Sequence, residues 1–597
     1  MIHSFHIPVM GLSYTIDTPI KVAHLGISSV ISIADDLLLE KARDFYANQF
    51  SIPVQSINRR DKDARSSVTT SYLNLVNEIV EKKWLSHINQ LVDSAEYRES
   101  FLSILPNASY WQREWQAKNN ELSKEELTEW AKTQFKAGSI DVNIMTKLDK
   151  KNASFGKELP IEYNDAHAAL RGFAQSKLSS SVILSAGINI PLFSYMQKFD
   201  DFFPDVNGNM TKKIIIKVSD YRSALIQGKM LAKKGLWVSE FRIESGLNCG
   251  GHAFATQGYL MGPILEEFKQ KRSELYNELL TMWRIALKSE NRYNTEIQDP
   301  KMKVSAQGGV GTHQEHEFLL KYYEINSVGW GSPFLLVPEA VSVDDDTMKR
   351  LANATEEDLY LSNASPLGVP FNNLRNSTRQ QYQQKRVDAG RLGSPCPKKF
   401  LQLNTEYGEK PICTASTQYI DKSIEKLHNS NLTEQQLEAA KEKLYEKECL
   451  CCGLAFSFLE KYNIDRKVEK GGVSVCPGPN IAYFDRISSL SDMIMHIYGM
   501  KNLITRTDRP NMFIKEIQLY MDFLAEKIHS SYSEPNEKAK NYINQFIENM
   551  KSGVDYYKTL FQTELPTLNL KQNIQNALND FLDILEEKKE STKVALL

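Results

Sequence analysis

The stretch KVSAQGGVGTHQEHEFLLKYYEINSVGWGSPF, residues 303–334, runs from an extended segment through a glycine-rich loop and a helical pattern into a second extended segment. Two strands linked this way belong to repeated βα units around a parallel sheet. The same alternation extends upstream. Further short β-rich runs occur at HIPVM (6–10), ISSVISI (27–33), IDVNIM (140–145), SVILSAG (181–187), KIIIKV (213–218) and VSEFRIE (238–244). With KVSAQGG (303–309) and SVGWGSPF (327–334) they make eight, the number that closes a (β/α)8 TIM barrel, so the fold class is α/β. In that architecture an active site lies at the C-terminal ends of the strands.

The barrel is expected over residues 1–385. Between its second and third strands, at about 37–135, lies a helix-prone stretch too long for a barrel loop, and Trp111, Trp115 and Trp130 read as its packing core rather than a ligand platform. Residues 386–500 change to cysteine-bearing loops, and 501–597 form a C-terminal helical region. Its amphipathic segments carry apolar faces but no convergent polar group, which predicts a packed bundle or a homo-oligomer contact.

The 597 residues hold 72 Lys and Arg against 74 Asp and Glu, a formal net charge of −2 with no basic footprint for nucleic acid. No run of about 18 apolar residues is present and the first residues show no signal-peptide pattern, so the expectation is a cytoplasmic protein without a membrane partner. Small-molecule chemistry or protein contacts remain.

The loops after the seventh and eighth runs hold Gly308, Gly309 and Gly311, then Gly329, Gly331 and Ser332. Barrel enzymes seat a cofactor phosphate on these loops, where backbone N–H groups approach an anion without Cβ interference; tight βα turns without a ligand are the alternative. His313 and His316 in GTHQEH share one helical face, a spacing open to a metal, but helix-start residues with Glu315 and Glu317 on a solvated turn explain the pattern. Asp35 and Asp36, after the second run, are either substrate contacts or helix N-terminal acids.

RIESGLNCGGHAF (242–254) resembles the glycine–histidine motif of nitronate monooxygenases and related flavin-dependent enoyl reductases, FMN enzymes of the barrel class. IPVMG, DVNIM, KVSDYRSALIQGKMLAKKG, SAQGGVG and SVGWGSPFLLVPEA resemble that family's other strand-end motifs in the same order, over most of residues 1 to about 380. The resemblance implies FMN contacts at Met10, Gly11, Asn143, Lys217, Ser245, Gly250, Gly308, Gly309, Gly329, Trp330, Gly331 and Ser332. Ser245, Asn248 and Ala253–Phe254 depart from the common pattern, which bears on substrate identity more than on cofactor binding.

Lys217 would place a cation by the reduced flavin, and His252, on the loop after the sixth run, would move a substrate proton. Cys249 beside it reads as a nucleophile or as a small buried residue. The expected activity is FMN-dependent oxidation of a small nitronate-like or carbonyl-activated substrate. An NAD(P)H-dependent enoyl-thioester reductase, with a thioester substrate, and a non-catalytic flavin or metal scaffold are the alternatives. Six of the seven cysteines fall between 396 and 476. Cys396, Cys449, Cys451 and Cys476 are the expected ligands of an iron–sulfur cluster or zinc, with Cys413 and Cys452 as substitutes; buried thiol packing is the competing reading.

Overall fold

Eight parallel strands close a barrel at the eight places the sequence marks. The computed structural model describes residues 2–595 apart from 147, 155, 186, 249–256, 293–297, 396, 466–470, 534–536 and 564–570. The barrel strands are β1 (Phe5–Ile7), β2 (Ser28–Ser32), β3 (Ile140–Ile144), β6 (Ser180–Leu184), β7 (Lys212–Val218), β8 (Val238–Glu244), β9 (Lys303–Gln307) and β10 (Ser327–Gly329). They pair in that order around the ring, and β10 closes onto β1 through Phe5 opposite Val328. Two antiparallel ribbons, β4 (Ala153–Ser154) with β5 (Lys157–Glu158) and β11 (Leu359–Ser362) with β12 (Phe371–Leu374), lie outside the ring.

Helices follow the strands: α1 (Thr18–Val22) and α2 (Asp36–Gln49), then α7 (Asp165–Gln175), α8 (Ile190–Met196), α9 (Tyr221–Ala232), α10 (Met261–Ser289), α11 (His313–Tyr322) and α12 (Asp345–Ala352). Between α2 and β3 stand α3 (Ala64–Asp93), α4 (Ala95–Ser103), α5 (Ala108–Glu121) and α6 (Lys124–Gln134). The far ends of these helices pack a small core of their own, in which Trp115 is buried against Trp111, Trp130 and Phe135. The tryptophans therefore do pack as the insertion's core.

Beyond the barrel come α13 (Thr378–Asp388), α14 (Thr417–His428), α15 (Glu434–Tyr445), α16 (Leu450–Lys461) and α17 (Leu490–Ile497), then α18 (Met512–Ser533), α19 (Glu537–Thr563) and α20 (Lys571–Ala595). Neither segment stands apart from the barrel. One continuous apolar core includes Ile7 of β1, Phe458 of α16, Ile517 of α18 and Leu578 of α20. Ser13 N–H donates to Leu454 O at 3.1 Å and Tyr14 Oη to Ser474 O at 2.5 Å, which ties the loop after β1 to the cysteine-bearing extension. Among the described residues no helix is long and apolar enough to cross a membrane.

The extension is also anchored by charge. Asp35 caps α2 by accepting from Leu38 N–H at 3.0 Å, and its other oxygen pairs with Lys398, the two side chains being 2% and 0% exposed. Removing one partner of such a pair strands a charge in low dielectric. Lys398→Met is expected to lose roughly 3–5 kcal/mol of stability, and the Asp35→Asn/Lys398→Met pair to regain most of it. Urea unfolding of both variants measures this, and an unchanged midpoint in the single variant would refute it.

Candidate active site at the barrel mouth

Along a strand, residues two apart share a face, so β8 sends Glu240, Arg242 and Glu244 to one side. Arg242, 3% exposed, lies 2.7 Å from Glu240 and 3.6 Å from Asp141 of β3. Burial pushes the Asp141 carboxyl up to about 6 despite that cation. These charges form the lower polar layer. One step towards the strand ends, Glu244 accepts from Lys217 Nζ of β7 at 3.1 Å, from Gln307 Nε2 of β9 at 2.5 Å and from Asn248 Nδ2 at 2.9 Å.

A cavity of about 340 Å³ opens at this level. Gly11, Asn143 and Lys217, three of the residues expected at the cofactor, line it, as does Arg65 of α3. Asn143 is 6% exposed, and its buried Oδ1 has no hydrogen-bond partner among the described residues. The outer wall comes from the extension: Phe400, Leu401, Leu450 and Leu454 enclose the cavity with apolar surface. Arg65 is already neutralised by Asp36 at 3.3 Å and Asp165 at 3.5 Å, its guanidinium 5.2 Å from the Phe400 ring centre.

The glycine loops are occupied differently. Gly308 and Gly309 have φ of +118° and +84°, the left-handed region that favours glycine, and they pack on Ser245 and Leu247. The start of α11 is closed by a capping box in which Thr312 and Glu315 satisfy each other's N–H groups. Glu315 is 4% exposed, not on a solvated turn: it also accepts from Gly311 N–H at 2.9 Å and Met512 N–H at 2.8 Å. Arg509 balances its charge at 2.8 Å and donates to Gly309 O at 2.9 Å. The helix terminus beside the loop thus carries its own anion.

Other expected residues lie apart from the cavity. Met10 and Trp330 are fully buried in the core, and Trp330 Nε1 donates to His316 Nδ1 at 3.1 Å. Gly329 lies under Gln307 and His6, Gly331 precedes the short turn Ser332–Leu336, and Ser332 is buried within it. Ser245 Oγ donates to Glu516 of α18 at 2.7 Å. His252, Gly250 and Cys249 lie outside the described residues. Asp35 and Asp36 serve as helix N-terminal acids with cationic partners.

The cysteines divide between two packing clusters. Cys449, Cys451 and Cys452 pack with Cys413, Leu148 and Leu401, whereas Cys476 packs with Phe371 and Leu450. Burial raises the Cys451 thiol well above its ordinary value, and a hydrogen bond with Cys449 together with burial raises Cys452. Both are neutral thiols near pH 7. Among the described residues no group of three or more His, Cys, Asp or Glu side chains is placed to hold a metal ion; Cys396 lies outside them.

Arg65, Glu244, Gln307, Arg509 and Glu516 are polar residues of the mouth that sequence reasoning did not select. Glu244 ends one recognised strand run and Gln307 stands directly before the glycines that end another, and those positions were the available signal. Arg509 and Glu516 gave none, because their partners lie 194 and 271 residues away.

Fold and cavity together define a (β/α)8 barrel with its candidate site at the C-terminal strand ends. Among solved structures the chain is similar to the enoyl reductase domain of MlnA from the macrolactin biosynthesis cluster of Bacillus amyloliquefaciens, at 14% identity, covering 73% of this chain and 88% of that one, with a TM-score of 0.28. A likeness this remote bears no weight for activity. No family model matches the chain. No curated protein matches it in sequence.

The histidine pair on α11 has a structural explanation. His316 is fully buried between Ser4 Oγ and Trp330, and burial lowers its pKa to about 4; His313 bonds Ile497 O at 2.9 Å. His316 is therefore expected to stay neutral across the physiological range. Its imidazole NMR signals should not move between about pH 5 and 8, and titration near the ordinary value of about 6.5 would contradict the assignment.

Proposed function

We propose that the protein is an FMN-dependent oxidoreductase of the nitronate monooxygenase class, acting on a small nitronate-like or carbonyl-activated substrate in the barrel-mouth cavity. The observation that carries this reading is Asn143 Oδ1, buried at the cavity wall with no donor among the described residues, on the same cavity as Lys217 and Gly11. An unmet acceptor inside a protein costs free energy unless a ligand meets it. A planar cofactor with N–H groups and an anionic reduced state suits that acceptor and the nearby ammonium.

When bound, FMN supplies a two-electron acceptor. Lys217 contributes positive charge at the end of β7, and Glu244 fixes its direction through the 3.1 Å contact. Gly11, with φ of +139° and the Tyr14 ring 2.7 Å from where a Cβ would stand, brings backbone to the edge of the cavity. Phe400, Leu401 and Leu454 exclude water from one side and offer apolar surface to the body of the substrate. His252 is the proposed proton-transfer group. Cys451 borders the same cavity as part of its apolar wall.

Protein expressed with riboflavin should release FMN on heating, detected by chromatography, and Asn143→Ala or Lys217→Met should lower the bound fraction. Protein without any flavin would overturn the proposal.

His252→Ala should keep FMN while losing about 10²- to 10⁴-fold in substrate-dependent flavin turnover. Stopped-flow rates equal to wild type would remove the histidine from the chemistry. Rapid bleaching of the flavin by NAD(P)H in the wild type would favour the reductase alternative.

A further inference from the structure

We propose that Glu516 is a proton-dependent clasp: its carboxyl joins the C-terminal helices to Ser245 at the end of β8 and to Met261 at the start of α10, holding these contacts when protonated and loosening them when ionised. The geometry is specific. Glu516 Oε1 lies 2.7 Å from Ser245 Oγ at the end of β8, while Oε2 accepts from Met261 N–H at 2.9 Å at the start of α10 and from Tyr557 Oη of α19 at 3.3 Å. One carboxyl therefore ties together a strand end, a helix start and two C-terminal helices.

The surrounding contacts are built for close approach. Tyr520, one turn along α18, hydrogen-bonds the Gly246 backbone, and a Cβ on Gly246 would come 2.6 Å from its ring. Tyr557 also accepts from Gly262 N–H at 2.8 Å, and a Cβ on Gly262 would come 2.2 Å from that ring. Glycine at both positions is what lets the two tyrosines seat on the segment.

Among the described residues no cation faces Glu516. Glu516 is 1% exposed, and its described partners are a hydroxyl, a backbone amide and a phenol. The titratable groups facing it are Tyr520 on its own helix and Tyr557 on α19, both neutral because burial raises them well above the ordinary phenol value. Beyond Tyr557, Tyr556 bonds Glu266 at 3.1 Å. His252 of the same segment lies outside the described residues.

A neutral acid suits this arrangement. Ser245 Oγ donates to the ionised carboxylate, and its hydroxyl can turn to accept the O–H of the neutral acid beside the 3.2 Å bond from Leu247 N–H, while Oε2 accepts the other two bonds in either state. Burial raises the carboxyl from 4.5 to about 7. The docked state then binds the proton more tightly than the undocked one. Its contribution is full below about 4.5 and is lost as pH rises through about 7.

The clasp does not rest on the flavin reading. The test is hydrogen exchange of the full-length protein, corrected for intrinsic rates, at about pH 5.5 and about pH 8.5, read on peptides covering 245–248, 257–264 and 510–530. Protection should fall at least about tenfold from the lower to the higher pH. Glu516→Gln, which keeps the shape of the neutral acid with an N–H donor for Ser245 and an acceptor for Met261, should stay protected at both. Glu516→Ala should be unprotected at both. Equal protection of wild type at the two pH values, or the same loss in Glu516→Gln, overturns the clasp. Bound FMN is quantified in the same samples, and its absence at both pH values counts against the flavin reading alone.

Discussion

Arg242 inside the barrel is the interaction around which the rest is arranged. A guanidinium 3% exposed is tolerable only where carboxylates reach it, and here Glu240 on its own strand and Asp141 across the barrel do so. That requirement fixes the facing of β8, and the facing fixes what stands two residues further on. Glu244 therefore arrives at the mouth with its carboxylate free to gather Lys217, Gln307 and Asn248. The candidate site's polar floor follows from a charge buried one layer beneath it.

The mouth belongs to three segments of chain at once. The barrel supplies Asn143 and Lys217, the extension supplies the apolar wall at Phe400 and Leu454, and the C-terminal region supplies Arg509 and Glu516. The expectation that the last helices bring no convergent polar group is corrected by Glu516 of α18; Arg509 stands just ahead of that helix. Arg509 settles the glycine loop after β9, and Glu516 settles the segment after β8. Both act through backbone, so their influence on the site comes from where they hold the chain.

The barrel was legible because each strand is a short β-branched run followed by a helix pattern, and periodicity is a local property. The eight runs coincide with the eight strands, and the insertion's tryptophans pack as its core. Three of the expected cofactor residues meet at the cavity for the same reason: they sit at strand ends. Glu315 and Glu516 were illegible because a glutamate on an amphipathic helix carries the same local pattern whether water or a distant backbone amide faces it. The cysteines were ambiguous for a related cause. Nearness in sequence does not distinguish thiols that converge from thiols that fill separate apolar gaps, as Cys451 does beside Leu401 and Cys476 beside Leu450.

The bond between Ser245 and Glu516 spans 271 residues, and that span sets the order in which the protein can be made. Every barrel strand has been synthesised once Gly329 leaves the ribosome, yet the segment after β8 must wait for α18 and α19 before its amides and Ser245 meet their partners. Until those helices exist, the residues that complete the mouth have no partners within the chain, so the contacts of the mouth are the last that synthesis makes available.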